Sequence, residues 1–164
     1  MARRVLVAYA TKMGSNAQVA EAIAAVLREA GLEVIVLPAR QARDLVPYDA
    51  VVLGSALYAA HWQRDAGRFV ARARDVLRTK PLWLWSSGPL DRQLAGKDLP
   101  PADNVLAIMG DVPFRAHHTF GGLLDPSTPG VDEQILRTHP VGDFRDWERI
   151  RAYAGEIARE LTST

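Results

Sequence analysis

Thr11, Gly14, Ser15 and Asn16 stand between an apolar run that stops at Ala10 and a helical apolar pattern that begins at Val19. Hydroxyl and amide side chains donate hydrogen bonds, and a glycine lets backbone approach a ligand closely. The free N–H groups and the dipole of a helix N-terminus favour an anion. The chemistry on offer is anion binding with little help from cations. A plainer alternative is that Ser15 only caps the helix. The loop alone leaves both readings open.

The kind of anion follows by exclusion. The loop lacks the G-x-x-x-x-G-K-[ST] pattern of a triphosphate-binding loop. It also lacks G-x-G-x-x-G, and Pro38-Ala39-Arg40 stands where a dinucleotide site needs an acid after the second strand. A receiver domain would need paired acids, an Asp and a Lys at places that hold Ala10-Thr11, Ser55 and Gly121. A monophosphate remains. Two further clusters extend the site. Tyr58 and Trp62 are surrounded by Gly54, Ser55, Ala56, Ala59 and Ala60, so small residues open a slot and an aromatic can lie against a planar ring. Ser86-Ser87-Gly88-Pro89 offers backbone N–H and carbonyl groups to a ring edge. A monophosphate joined to a flat heteroaromatic ring describes FMN.

These clusters need elements to hold them. Continuous apolar runs over 5–10, 33–37, 50–54 and 81–85 predict strands buried on both faces, and 117–120 a fifth. Three- and four-residue apolar spacing predicts helices from Val19 to Ala30, with Gly31 ending it, and from Ala66 to Leu77. A short helix is expected over 103–109, and a last one from Trp147 to Leu161 capped by Asp143 or Asp146. Asp125–Gly142 reads as a connection with a helical turn near Gln134. Trp83 and Trp85 are expected on different faces of their strand. Alternating strands and helices predict one α/β domain over residues 1–164, with a parallel sheet covered on both faces. Ligands of such sheets sit beyond the strands' carboxyl ends, where all three clusters fall.

Composition narrows the function. The chain has 164 residues, 20 Lys and Arg against 19 Asp and Glu, and a net charge of +1, which favours no nucleic-acid partner. With no cysteine, thiolate metal sites, iron–sulfur clusters and Cys nucleophiles are excluded. No stretch is long and apolar enough to span a membrane, nor does the N-terminus have the form of a signal peptide, so a cytoplasmic protein is expected. His117 and His118 are neighbours on a strand and face opposite sides, which argues against a joint metal site. His61 adjoins the expected crevice. The Arg64-to-Arg78 ladder reads as a solvated helix face.

The stretches "YATKMGSNAQVAEAIA" (9–24), "VVLGSALYAAHW" (51–62), "WLWSSGPL" (83–90), "FGGLLD" (120–125) and "GDFRDWERIRAYAGEIA" (142–158) together resemble a flavodoxin-fold FMN protein. The resemblance is to the flavodoxin-domain group that includes the bacterial quinone-dependent protoporphyrinogen dehydrogenase. It implies a three-layer sandwich with a five-stranded parallel sheet in the order 2-1-3-4-5. It implies that Thr11, Lys12, Met13, Gly14, Ser15 and Asn16 hold the FMN phosphate. Tyr58, Ala59, Ser86, Ser87, Gly88 and Pro89 would flank the ring, with Phe120 and Gly121 nearby. The group usually has Thr where this chain has Asn16, so weaker FMN binding at most is expected. Three functions follow as expectations: an oxidoreductase between an organic or nicotinamide donor and a quinone-like acceptor, an electron carrier for a protein partner, and a non-catalytic module. Electron-shuttling flavodoxins are strongly acidic, and this chain is not.

Overall fold

Side chains on a strand alternate between the two faces of its sheet, so each apolar run here feeds two cores at once. A computed structural model describes residues 2–12, 14–88, 99–129, 131 and 133–163. In chain order the elements are β1 (Arg4–Ala10), α1 (Ser15–Glu29), β2 (Glu33–Pro38), a 3₁₀ turn (Ala39–Gln41), β3 (Ala50–Tyr58), β4 (His61–Trp62) and α2 (Arg64–Leu77). There follow β5 (Leu82–Ser87), α3 (Asp103–Met109), β6 (Ala116–Phe120), β7 (Leu123–Leu124), α4 (Glu133–Thr138), β8 (Gly142–Asp143) and α5 (Trp147–Thr162).

The main strands run parallel in the order β2-β1-β3-β5-β6, the flavodoxin-like arrangement expected. The short β4 turns back on the end of β3, and β7 pairs with β8 in a separate antiparallel ribbon. On one face, Val5, Val7, Ala50, Val52, Trp83 and Trp85 meet α1 and α5. On the other, Leu6, Ala8, Val51, Leu53, Leu82 and Leu84 meet α2 and α3. Trp83 and Trp85 thus share a face, as residues two apart on a strand must, which corrects the expectation that they separate. α1 stops where Gly31 takes φ +92°, with its N–H donating to the Arg28 carbonyl at 3.0 Å. Asp146 caps α5, its Oδ1 accepting from the Arg149 N–H at 3.2 Å.

The connection expected over Asp125–Gly142 carries α4 where a helical turn near Gln134 was expected, and it is bracketed by β7 before it and β8 at its end, which were not. Two-residue strands carry no legible period. Their ribbon is closed by the Phe144 N–H donating to the Gly122 carbonyl at 2.9 Å.

One packing contact governs the sheet's carboxyl edge. Gly54 on β3 pairs in register with Trp85 on β5, and the indole lies across it. A Cβ on Gly54 would stand 1.8 Å from Trp85 Cε2. Trp85 is fully buried and has nowhere to retreat. Gly54→Ala should therefore lower stability by about 2–3 kcal/mol in a denaturant titration. A midpoint equal to that of the parent would show that the indole does not depend on this gap.

Candidate cofactor site

Beyond Ala10, the Thr11 side chain organises the first loop. Its Oγ1 accepts from the Gly14 N–H at 2.9 Å and, at 3.5 Å, from the Asn16 N–H. Gly14 takes φ +87° in the position preceding α1, and α1 has no acidic residue in its first turn. Ser15 is the first helical residue rather than the cap, and the cap position is held by Gly14, which has no side chain. The N-terminus thus presents backbone donors with no competing carboxylate.

Asn16 points the other way. It is fully buried, its Nδ2 donating to the Ala10 carbonyl at 3.0 Å and its Oδ1 accepting from Trp85 Nε1 at 3.1 Å. Both ends of the amide are used inside the protein. The expectation that this side chain holds a phosphate is corrected accordingly. Asn16 ties the start of α1 to β1 and β5.

A cavity of about 680 Å³ opens at this edge. Lys12 and Ser15 line it from the first loop, and Ala56, Tyr58 and Ala59 from the end of β3 and its turn. Ser87 and Gly88 line it from the end of β5. Of the other expected residues, Thr11 and Gly14 shape the loop without lining the cavity. The Ser55, Ser86 and Phe120 side chains are buried in the fold, and Gly121 is buried beside them; none of the four lines the cavity. Ser55 Oγ accepts from the Gln63 N–H at 2.9 Å and donates to the Ala56 carbonyl at 3.0 Å. Ser86 Oγ accepts from Trp62 Nε1 at 2.8 Å and lies 2.8 Å from His117 Nε2. Alternation sends Ser55 and Ser86 into the layer that carries α2, while Ala56 and Ser87 fall on the other side. Met13 and Pro89 lie outside the described residues.

Tyr58 is 44% exposed, with Lys12 Nζ 3.4 Å from its ring centroid. That cation–π contact joins the first and second loops across the cavity. Trp62, in contrast, is buried and pinned by Ser86 and by Asn104 Oδ1, which accepts from its backbone N–H at 2.9 Å. It is no second aromatic wall. The turn between Tyr58 and His61 consists of Ala59 and Ala60 at φ +50° and +61°. His61 Nδ1 lies 2.7 Å from the Ala59 carbonyl. His117 and His118 do diverge, the second stacking on Tyr153 at 4.2 Å between centroids. Among the described residues no group of His, Asp and Glu could hold a metal ion.

The wall that sequence reasoning missed comes from Thr119, Gly122, Leu123, Leu124, Ile135 and His139. Arg145 fastens this region to α1. Its guanidinium donates to both carboxylate oxygens of Asp143 at 2.9 Å, to Gln18 Oε1 at 2.6 Å and to the Ser15 carbonyl at 3.2 Å. It lies 4.7 Å from the Trp147 ring centroid, and its side chain is 6% exposed. Those hydrogen bonds hold the Asp143 carboxyl below its ordinary range. The basic residue three after Gly142, beside an Asp, was the available signal in the sequence.

The flavodoxin domain family matches residues 6–136. The chain belongs to that family. No curated protein matches the sequence at a significant level. Among solved structures, this flavodoxin-domain chain is similar to oxidised flavodoxin 1 from Bacillus cereus, with a TM-score of 0.64, 15% identity and coverage of 97% of this chain and 99% of that one. It is similar to a flavodoxin from the domain Archaea, with a TM-score of 0.66, 12% identity and coverage of 98% and 99%. It is also similar to rubredoxin oxygen:oxidoreductase from Desulfovibrio gigas, with a TM-score of 0.62 and 17% identity. There the match covers 96% of this chain but 36% of that one, so the chain spans only about a third of that protein. At these identities the likeness is one of fold. Among the described residues no helix is long and apolar enough to cross a membrane.

Left-handed backbone is costly for alanine, and the Ala59-Ala60 turn places two such residues at the cavity rim. Ala60→Gly should raise stability by about 0.5–1 kcal/mol, since glycine takes positive φ without a clash. Thermal melts check this. A loss of stability would show that Ala60 does not hold φ +61° in solution.

Proposed function

We propose that the cavity binds FMN and that the chain is an oxidoreductase passing electrons between an organic or nicotinamide donor and a quinone-like acceptor. The finer assignment is to the protoporphyrinogen-dehydrogenase-like group, on the sequence resemblance. One observation carries the flavin reading. The unopposed N-terminus of α1, an aromatic ring at Tyr58 and the Ser87-Gly88 backbone converge on one cavity of about 680 Å³. That size suits a small-molecule cofactor.

The residues present fit the group. Backbone N–H groups at the start of α1, with the Ser15 hydroxyl, would receive the phosphate, in a loop shaped by Thr11. Gly88 fits a close approach. It takes φ +142°, and a Cβ there would meet the Leu57 carbonyl oxygen at 3.2 Å. Its N–H donates to the Phe120 carbonyl at 2.8 Å, which fixes the end of β5. Tyr58 would cover a ring face, while Lys12 holds Tyr58 in place. Bound FMN supplies the exchange of electrons or hydride, which no side chain here can perform. The protein's share is to orient the ring and exclude water with the apolar wall of Leu123, Leu124 and Ile135.

A second reading, an electron carrier serving a protein partner, is favoured by the end-to-end similarity to stand-alone flavodoxins. The net charge of +1 weighs against the acidic steering field of such carriers.

Purified protein is expected to be yellow and to release FMN on denaturation. NAD(P)H should reduce it, and menadione should reoxidise it without a second protein. Colourless protein that cannot be reconstituted with FMN contradicts both readings, whereas turnover only with an added redox protein selects the carrier. Tyr58→Ala should weaken FMN binding roughly 3–10-fold, the worth of one aromatic stack. Identical titrations would remove Tyr58 from the ring site.

A further inference from the structure

The charges of this chain nearly cancel overall, but they are not evenly spread. Arg64, Arg68 and Arg72 recur every four residues and share one flank of α2, spanning about 12 Å at 1.5 Å per residue. Arg72 Nη2 reaches across to the Ala39 carbonyl and, at 3.1 Å, to that of Ala42. This bridge lays the 3₁₀ turn and its successor against the same flank, and with them Arg40 and Arg43. Arg40, Arg43, Arg64 and Arg68 are exposed, and among the described residues no ion pair engages any of the four. The arginines on the neighbouring flank differ. Arg74 and Arg78 are engaged by Asp111, and Arg78 by Asp75 as well.

From Arg40 to Arg72 only Asp44, Asp49 and Asp65 are acidic, and Asp49 Oδ2 accepts from the Arg4 N–H at 2.8 Å, at the far end of β1. The patch also begins at the cavity. Gln63, the residue before Arg64, lines the cavity wall, and Lys12 sits at the mouth over Tyr58. A helix face of unpaired arginines next to a solvent-open redox pocket is not neutral decoration. Holding like charges together raises the electrostatic energy of the free protein, and a complementary surface relieves it.

We propose that this flank of α2 and the 39–43 turn dock the acidic face of a protein partner, guiding it to the cavity mouth. That the partner is a redox protein rests on the flavin reading. That its face is acidic rests on the arginines alone. Guanidinium groups grip carboxylates bidentately, which suits a protein surface of Asp and Glu. A membrane surface fits less well. Lipid-binding faces add apolar or aromatic anchors to their basic residues, and among the described residues neither α2 nor the 39–43 turn carries an exposed large apolar side chain; Val46 follows the turn in sequence and Tyr58 stands at the cavity mouth.

The test titrates the purified protein with a plant-type [2Fe–2S] ferredoxin as the acidic probe, by calorimetry at 20 and 300 mM salt. Binding should be tighter at low salt. Arg64→Glu with Arg68→Glu should weaken it at least tenfold. Arg151→Glu with Arg159→Glu on α5 changes net charge equally and should shift it less than twofold. Circular dichroism and flavin absorbance of both variants should match the parent, since none of these side chains lines the cavity. Equal losses in the two variants, or no salt-dependent binding of the probe, would overturn the proposal. So would retention on phosphatidylglycerol vesicles that depends on Arg64 and Arg68 when the ferredoxin does not bind. Parent protein that takes up no FMN yet binds the ferredoxin would fault the flavin reading and leave the docking face standing.

Discussion

The carboxyl edge of the sheet depends on one buried hydrogen-bonded contact, that between Trp85 and Asn16. The indole needs the absence of a side chain at Gly54 to lie flat over β3, and it uses its only donor on Asn16 Oδ1. Asn16 in turn donates to the Ala10 carbonyl, where β1 ends. Three elements are thereby fixed at one point: the exit of β1, the entry of α1 and the span of β5 across β3. Each buried polar group in the set is satisfied, so removing one leaves another exposed to an apolar interior without a partner. The loop from Thr11 to Ser15 is strung between fixed ends. Within it the Gly14 N–H is held by Thr11 Oγ1, while Asn16 is anchored inward.

That anchoring decides what the first loop can recognise. The positive end of α1 is presented without an acidic residue in its first turn and with one lysine that is occupied over Tyr58. Recognition by dipoles and hydroxyls suits a single phosphate, whereas higher phosphates generally call for cations or metal. On the far side of the cavity, Arg145 ties the wall built by β7, β8 and α4 to the Ser15 carbonyl and Gln18. The same helix start therefore bears on both the first loop and the apolar wall of the cavity.

Much of this was legible from residues alone. Strand runs and helical stripes gave the sheet and its two layers, because burial on both faces leaves continuous apolar runs with little ambiguity. Three features were not legible, each for a physical reason. The reversal between β3 and β4 uses Ala59-Ala60, and alanine gives no turn signal where Asn-Gly would. The β7–β8 ribbon has strands too short to show a period. The direction of Asn16 depends on a tryptophan 69 residues away, so a polar side chain next to a helix start reads as a ligand in sequence although it is a strut in the fold. Alternation on β3 and β5 was readable in principle. It separates Ala56 and Ser87 from Ser55 and Ser86, and only the register of the cavity against the strands shows which pair counts.

On the proposed reading, the start of α1, held by Asn16 and Trp85, seats the phosphate of FMN. Parallel fluorescence titrations of flavin-free protein with FMN and with riboflavin test it most directly. Saturable one-to-one FMN binding is expected, at least tenfold tighter than that of riboflavin, which has the same ring and no phosphate. Equal affinity for the two flavins would contradict it, since the helix start would then play no part in holding the cofactor.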